Sequence, residues 1–314
     1  MHAQIRQEET IKEFCNRPIT RRQMLRAAGF ASVALLSSGC AAETTDEASP
    51  SISAGEGGIV VQTTPPPEHC RSFEEVVSSG EMVVGVSSDA RPYSFIDSTG
   101  NYTGFDAAFA ECLAWDMAVR VRFVGTDPSD VGSFLLSNKV DVVISSTALP
   151  AEGCLQALPL IAPRQAVVAA ATAGPTLVES PQGIAVGVCS GSQAEALLPT
   201  LLPGANCHVF ESFSGAFQAI CLGIVDALLL DQLVAKAWVR SNPGFTVVLD
   251  GLGEPCPAGL VVAPENEGLL QVMNQETSGL VSNGRVRALY SKYVVPDAPD
   301  IDPSQILLPV EPPA

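Results

Sequence analysis

The chain has 314 residues, 46% of them apolar and 16% charged, a composition that predicts a folded globular protein and excludes a wholly disordered one. This length favours two domains. The formal net charge of −17 argues against a nucleic-acid partner, because phosphate binding requires basic patches. The acidity is explained either by solubility or by a preference for cationic ligands.

Residues 1–39 have the pattern of an export signal. Residues 20–25 read Thr-Arg-Arg-Gln-Met-Leu, which matches the twin-arginine motif, and an apolar run follows at 27–36. That run is shorter than the roughly 20 apolar residues that a membrane-spanning helix needs. We therefore expect export by the twin-arginine route, which carries folded proteins.

A lipid-attachment site is predicted at Cys40. Residues 36–40 read Leu-Ser-Ser-Gly-Cys and resemble the lipoprotein cleavage box, although Ser37 stands where that pattern prefers leucine. An ordinary cleaved signal or an amphipathic membrane segment is the alternative. Without residues 1–39, the remaining 11 basic and 31 acidic residues give a charge of −20. Residues 40–69 lack periodicity and are expected to tether the protein to the outer face of the cytoplasmic membrane, or within the periplasm.

The folded part is predicted to start near residue 70, with a capping box at Ser72–Glu75 and a helix that Gly80 ends. Residues 82–86 then form a buried strand. The polar loop after it contains Ser87 and Asp89, at the strand's carboxyl end, where open α/β sheets bind ligands. A hairpin at 93–105 and a helix from residue 105 follow.

The next elements alternate between strand and helix. Strands are predicted at 121–124 and 140–144, with a helix at 131–136 between them. The second strand ends in Ser145 and Ser146. Strands that alternate with helices predict a parallel arrangement.

A second block repeats this order. A strand at 183–188 leads through a small-residue turn with Ser192 and Gln193 into a helix, whose free amides would favour an anionic group. An ordinary capped helix is the alternative. A strand at 207–210 and a helix at 213–222 follow. The strand at 225–231 ends in Asp231.

Three segments together resemble the bacterial extracellular solute-binding proteins of the polar amino acid uptake family. They are the helix and G-x-x-D-A strand of 217–235, the K-V-D-V-V-I-S-S run of 139–146, and the closing strand and helix of 259–293. The resemblance covers about residues 70–295. It implies a two-lobed α/β fold of the periplasmic-binding-protein type 2, with two mixed sheets, flanking helices and a two-strand hinge.

The resemblance also implies an organisation and a function. Lobe 1 would comprise 70–165 and 263–295, lobe 2 would comprise 168–258, and the hinge crossings would lie near 165–170 and 257–261. Residues 296–314 would be a disordered Pro-rich tail. The protein would be a monomeric receptor without a cofactor. It would capture a small polar solute, an amino acid or cationic amine, for the membrane permease of an ABC importer.

Carried over by position, Asp231 would hold the α-amino group of the solute. Ser192 and Gln193 would contact its α-carboxylate, and Ser145 and Ser146 would line the pocket. Each of these also has a purely structural interpretation, as a helix cap or a turn former.

The chain departs from the family where the α-carboxylate should be clamped. The family has T-x-x-R after the serines, but residues 148–154 contain no arginine, and Glu152 lies at or beside that place. Ala90 and Pro128 stand where aromatic residues are expected. Either Arg91 or Arg164 substitutes as the clamp, or the solute is cationic and bound by Glu152 and Asp231, or the pocket has lost its solute.

Two other function classes stay open. An accessory protein that binds no solute would explain the lost clamp. A dehydratase is more remote, because Glu152 is its sole candidate acid. His69 and His208 lie far apart in sequence, which argues against a metal site.

Seven cysteines remain besides Cys15 and Cys40, an odd number that assigns no disulfide. Cys112 and Cys221 are predicted to be core residues. Cys154 or Cys189 could be a free thiol at the cleft.

Overall fold

The computed structural model describes residues 67–148, 151–173 and 181–308. The twin-arginine motif, the apolar run, Cys40 and all but residues 67–69 of the proposed tether lie outside this part of the chain. Within it, no helix is both long and apolar enough to cross a membrane.

The first lobe begins with a short helix and contains the α-helices and strands up to residue 156. The predicted capping box of Ser72 and Glu75 is present, and Gly80 ends the helix in a left-handed conformation. The elements are α1 (Phe73–Ser79), β1 (Glu81–Val86), β2 (Asp89–Ala90), β3 (Ser94–Ile96), β4 (Tyr102–Thr103), α2 (Phe105–Asp116), β5 (Arg120–Gly125), α3 (Val131–Leu136), β6 (Val142–Ser145) and β7 (Leu155–Gln156).

The second lobe is one continuous segment, and the chain then returns to the first lobe. The second-lobe elements are β8 (Gln165–Ala170), β9 (Ala185–Cys189), α4 (Gln193–Leu201), β10 (Asn206–Phe210), α5 (Phe213–Cys221), β11 (Ala227–Asp231), α6 (Gln232–Ser241) and β12 (Phe245–Leu252). The first lobe is completed by β13 (Gly259–Val262), α7 (Glu267–Ser282) and α8 (Arg285–Tyr293).

Each lobe is built on a mixed five-stranded sheet. The first sheet has the order β5-β1-β6-β13-β7, in which β13 runs antiparallel to both neighbours. The second has the order β10-β9-β11-β8-β12, in which β8 runs antiparallel to both neighbours. β2, β3 and β4 form a small separate sheet. The α/β class with two mixed sheets and flanking helices is thus confirmed.

The inner strands are buried along nearly their whole length, as is usual for strands covered on both faces. Every residue of β6, β11 and β13 is buried, and β8 is buried except at its last residue. β6 and β11 correspond to continuous apolar runs from which strands were predicted. The two sheets therefore fix the positions of the residues that follow β6 and β11.

The two lobes are joined by an antiparallel pair of crossing segments, 157–164 and 253–258. Ile161 pairs with Ala258, and the Ala258 amide donates to the Ile161 carbonyl at 2.8 Å. The first crossing lies before the predicted range, because residues 165–170 form β8 inside the second sheet.

The prediction of a disordered tail at 296–314 is wrong for its described part. Pro303–Gln305 forms a 3-10 turn, Ile306 is 2% exposed, and Leu307 pairs with Ile161. The prolines of this segment suggested disorder, whereas its apolar side chains bury against the hinge. Residues 309–314 lie outside the described part.

Candidate functional site

Asp231 lies at the end of β11 and caps the following helix. Its Oδ1 accepts hydrogen bonds from the Leu233 amide at 2.8 Å and the Val234 amide at 3.3 Å. The residue is 4% exposed. An aspartate at this position satisfies helix-start amides that would otherwise lack an acceptor. Asp231 therefore caps α6 through its Oδ1 atom, and its Oδ2 atom is available to other partners.

Tyr93 of the first lobe reaches Asp231 from the opposite side. Its hydroxyl lies 3.1 Å from both carboxylate oxygens of Asp231, and the ring is 1% exposed. Burial and the Asp231 charge raise the pKa of Tyr93, so the hydroxyl keeps its proton and donates it. Sequence reasoning missed this residue, because a tyrosine in a short aromatic strand carries no specific signal.

No basic side chain is among the groups that chiefly shift the pKa of Asp231. Burial raises its pKa to about 7, against the hydrogen bonds from Leu233, Val234 and Tyr93, and the charge of Asp106 raises it further. A cation brought to Asp231 would offset this cost. The site is thus electrostatically suited to a positive group.

Asp106 is the second buried carboxylate, and sequence reasoning missed it although it belongs to the Gly-Phe-Asp helix start. It accepts from the Ser146 hydroxyl at 2.5 Å and from the Ser146 amide at 3.1 Å. Burial raises its pKa to about 7. Ser145 is also used within the lobe, since its Oγ accepts from the Ala148 amide at 3.2 Å.

Ser192 and Gln193 lie at the start of α4 and touch the first lobe. Ser192 pairs with Ala148 as an isolated antiparallel bridge, and the Gln193 amide donates to the Thr147 carbonyl at 3.1 Å. The Gly191 amide donates to Glu195 at 2.7 Å. In this arrangement, the amides of Gly191 and Gln193, which were expected to be free for an anion, have protein acceptors.

Gly191 approaches the first lobe more closely than any other residue type could. A Cβ at this position would lie 2.5 Å from the Ser129 nitrogen, and the residue has φ of 70°. Pro128, which stands where the family has an aromatic residue, belongs to the same contact. The lobes therefore meet directly at this point.

Ser87 and Asp89 lie in the loop after β1, as predicted. The Ser87 hydroxyl is 3.2 Å from Asp89 Oδ1, and the Ser214 amide of the second lobe donates to Asp89 Oδ2 at 2.8 Å. Asp89 is thus another link between the lobes.

The other charged candidates lie elsewhere. Glu152 is exposed, unlike Asp231. Arg91 forms an ion pair with Asp297 at 2.8 Å, and Arg164 donates to the Gly253 carbonyl. Both arginine side chains thus have protein partners in this structure, and a substitute clamp stays a prediction.

Acidic groups concentrate where the lobes meet. Burial raises the pKa of Asp127, and the charges of Asp89, Asp130 and Glu211 raise it further. Burial also raises the pKa of Cys189, together with carboxylates that include Glu195. No basic side chain is among the groups that chiefly shift the pKa of Asp127 or of Cys189. This part of the molecule is therefore strongly anionic.

Several buried polar atoms near these residues lack a hydrogen-bond partner in the described chain. They include Ser94 Oγ, Gln193 Oε1 and the Tyr290 hydroxyl. The Gln165 amide, which pairs in register with Asp231, has no nitrogen or oxygen partner, and the Cys256 thiol is its polar neighbour. Such atoms are rare in folded proteins, and an ordered water or a bound molecule can supply their missing partners.

None of the seven described cysteines forms a disulfide. Cys112 is 3% exposed, as predicted for a core residue, whereas Cys221 is exposed and that prediction is wrong. Cys221 is the last residue of α5 and turns away from the sheet. Cys189 is fully buried, and Cys154 is partly buried. No group of three potential metal ligands occurs among the described residues.

Known proteins resemble this chain over the same region. Residues 82–296 match the family model described as bacterial extracellular solute-binding proteins, family 3. The L-cystine-binding protein TcyJ of Escherichia coli K12 is 26% identical over 226 residues, 70% of this chain and 85% of that protein. ABC transporter arginine-binding protein 1 of the same strain is 23% identical, over 71% and 94% of the two chains.

An enzyme is among the more distant relatives. Cyclohexadienyl dehydratase of Pseudomonas aeruginosa is 23% identical over 56% of this chain and 68% of its own length.

A solved structure agrees with the fold. The solute receptor for L-cysteine of Neisseria gonorrhoeae superposes with a TM-score of 0.71 at 25% identity, and covers 76% of this chain and 100% of that one. The family match spans more than half of the chain, and the relatives are mainly binding proteins. The chain belongs to family 3 of the bacterial extracellular solute-binding proteins and is a solute-binding receptor of the amino-acid ABC-importer class.

Proposed function

We propose that this receptor captures a small cationic amine or cationic amino acid between its lobes and presents it to the permease of an importer. The proposal rests on Asp231, a buried carboxylate. No basic side chain is among the groups that chiefly shift its pKa. Buried charges are normally paired, and an unpaired one marks a place where a ligand supplies the partner.

The charge around the site supports a cation over an anion. The charges of Asp89 and Glu211 raise the pKa of Asp127 at the lobe contact, and the arginine of the family pattern is missing from residues 148–154. An α-carboxylate placed here would meet repulsion without a bidentate clamp. The arginine-binding relative shows that this fold is used for a cationic solute.

In this proposal, Asp231 holds the ammonium group and Asp89 adds negative charge. Ser87, Ser145, Ser146, Ser192 and Gln193 line the cleft, and Gln193 Oε1 accepts a hydrogen bond from the solute. Glu152 is exposed, so we assign it a role at the cleft mouth only. The two lobes of a monomer open and close about the crossing segments, 157–164 and 253–258.

We further propose that the protein is exported by the twin-arginine route and held to the membrane through a lipid on Cys40. The motif at 20–25 and the Leu-Ser-Ser-Gly-Cys sequence support this. Replacement of Cys40 by alanine should release the protein from the membrane fraction; retention there would contradict lipid anchoring at this residue.

The solute proposal is tested by thermal unfolding with a panel of amino acids, polyamines, quaternary amines and small carboxylates. A ligand at a hundred times its dissociation constant stabilises the fold by about 2.7 kcal/mol. That corresponds to several degrees, since each kcal/mol shifts the midpoint by about 2–4 °C in a domain of this size. We expect a shift from cations, lost in Asp231→Ala. A shift from carboxylates alone would contradict the proposal.

A second candidate, an accessory protein that binds no solute, is favoured by one observation. The lobes contact each other through protein groups, as Tyr93 with Asp231 and Thr147 with Gln193. A receptor closed by its own contacts needs no solute. No shift from any compound in the panel would select this candidate.

Catalysis is the remote candidate. The nominated acid, Glu152, is exposed, and the dehydratase relative is distant. We propose that the protein is not an enzyme, and consumption of a compound that shifts its midpoint would contradict this.

A further inference from the structure

The C-terminal strap, residues 297–308, lies beyond the family match, which ends at residue 296. It follows the last helix of the first lobe and is not an independent tail. Ala298 and Ile306 are 0% and 2% exposed. The strap is therefore anchored at these buried residues and belongs to the folded molecule.

The strap adds a third strand to the pair of crossing segments. Ile161 pairs with Ala258 on one side and with Leu307 on the other. The Ala162 amide donates to the Ile306 carbonyl at 2.8 Å, and the Leu308 amide donates to the Leu160 carbonyl at 2.9 Å. The hinge is thus a three-stranded ribbon at this point, whereas the sequence predicted two strands.

The strap also connects the two lobes. At its start, Asp297 pairs with Arg91 of the first lobe at 2.8 Å. Three residues later, Asp300 pairs with Lys236 of α6 in the second lobe at 2.6 Å. Lys236 is held in place by Asp250 of β12, at 2.7 Å, and its side chain is 13% exposed. Lys236 is therefore a well-ordered anchor on the second lobe.

Between these points the strap does not pack fully against the hinge. A cavity of about 570 Å³ lies under it, lined by strap residues Asp300, Ile301, Gln305 and Ile306 and by Arg164 and Gln232. The attachment of the strap to the second lobe therefore depends more on individual contacts than on continuous packing. Lys236 with Asp300 is the charged contact among them.

We propose that the C-terminal strap holds the lobes in the contacting arrangement, with Lys236 as its anchor. Opening the lobes moves Lys236 relative to the first lobe, so the ion pair with Asp300 must stretch or break. The three-stranded ribbon resists the same motion, because its hydrogen bonds restrain the backbone of the crossing segments. The strap thus sets the equilibrium between open and closed forms.

Amide hydrogen exchange on the full chain, at single-residue resolution by mass spectrometry, tests this. The amides of Gln193 and Ser214 donate across the lobe contact, so their exchange reports opening. In Asp300→Asn and in Lys236→Met, we expect their exchange to be about two- to fivefold faster, the range for one partly exposed ion pair. Amides inside the two sheets should be unchanged.

Glu81→Gln is the matched control, because Glu81 pairs with Arg122 at 3.0 Å within the first lobe. It should leave Gln193 and Ser214 unchanged. The proposal is overturned if Gln193 and Ser214 exchange at the wild-type rate in either strap variant. It is overturned equally if all amides accelerate together, since that would be a general loss of stability.

Discussion

At the scale of the residue, the centre of the molecule is the pair formed by Tyr93 and Asp231. Each belongs to a different lobe, and each is almost completely buried. Asp231 could be chosen from the sequence because it ends a strand in a recognisable segment. Its partner could not, because contact between lobes depends on tertiary placement that no local pattern of residues encodes.

Tyr93→Phe removes only the hydroxyl that bonds to Asp231. It leaves a buried carboxylate oxygen without a donor, so the free energy of unfolding should fall by about 1–2 kcal/mol. Urea unfolding at pH 8 measures this. Tyr102→Phe is the control, since that ring is only partly buried and packs against Phe123 at a tilted angle. An equal, small effect of both variants would show that the interlobe hydrogen bond contributes nothing.

Asp106 gives the protein a predictable pH dependence. The unfolded carboxyl ionises near its ordinary pKa of about 4, whereas the folded one ionises near 7. Between these pH values the folded state binds more protons than the unfolded state. The Asp106 carboxyl therefore contributes to stability at low pH. That contribution is lost as pH rises to 7, at no more than about 1.4 kcal/mol per pH unit.

Asp106→Asn should remove this contribution and make the free energy of unfolding less dependent on pH between 4.5 and 7. Urea unfolding across that range checks it. Asp226→Asn, at an exposed carboxylate, should keep the wild-type slope. If Asp106→Asn also keeps that slope, the folded carboxyl ionises at its ordinary pKa.

At the scale of the element, strands and helices were largely predictable and their long-range contacts were not. The runs that became β6, β11 and α1 are marked by apolar continuity or by a capping box. The strap was mistaken for part of a disordered tail, because residues 296–314 are rich in proline and the few apolar residues of the strap find a surface only in the folded molecule.

The turn before α4 allows the lobes to meet. Gly191→Ala would place a Cβ 2.5 Å from the Ser129 nitrogen and would strain a backbone with φ of 70°. We expect the lobes to separate, with a larger radius of gyration in small-angle scattering. Gly268→Ala, in α7 with nothing near its Cβ, is the control and should leave the radius unchanged. An unchanged radius in Gly191→Ala would contradict the close approach.

At the scale of the whole molecule, two mixed sheets on a hinge carry an anionic contact region at their interface. The two-lobed class followed from the order of the elements and from three family-like segments. The proposed preference for a cation rests on charges that only the fold brings together, since Asp89, Asp127 and Glu211 are far apart in the chain. The missing arginine pointed the same way but did not identify these partners.

The most direct test of the proposed cation-binding site is titration calorimetry with the cation that most stabilises the protein, at pH 6 and pH 8. Binding a cation needs the ionised form of Asp231, whose pKa is about 7. We predict an affinity about tenfold weaker at pH 6 than at pH 8, and loss of binding in Asp231→Asn. Equal affinity in wild type and Asp231→Asn, or no heat with any cation, would contradict the account.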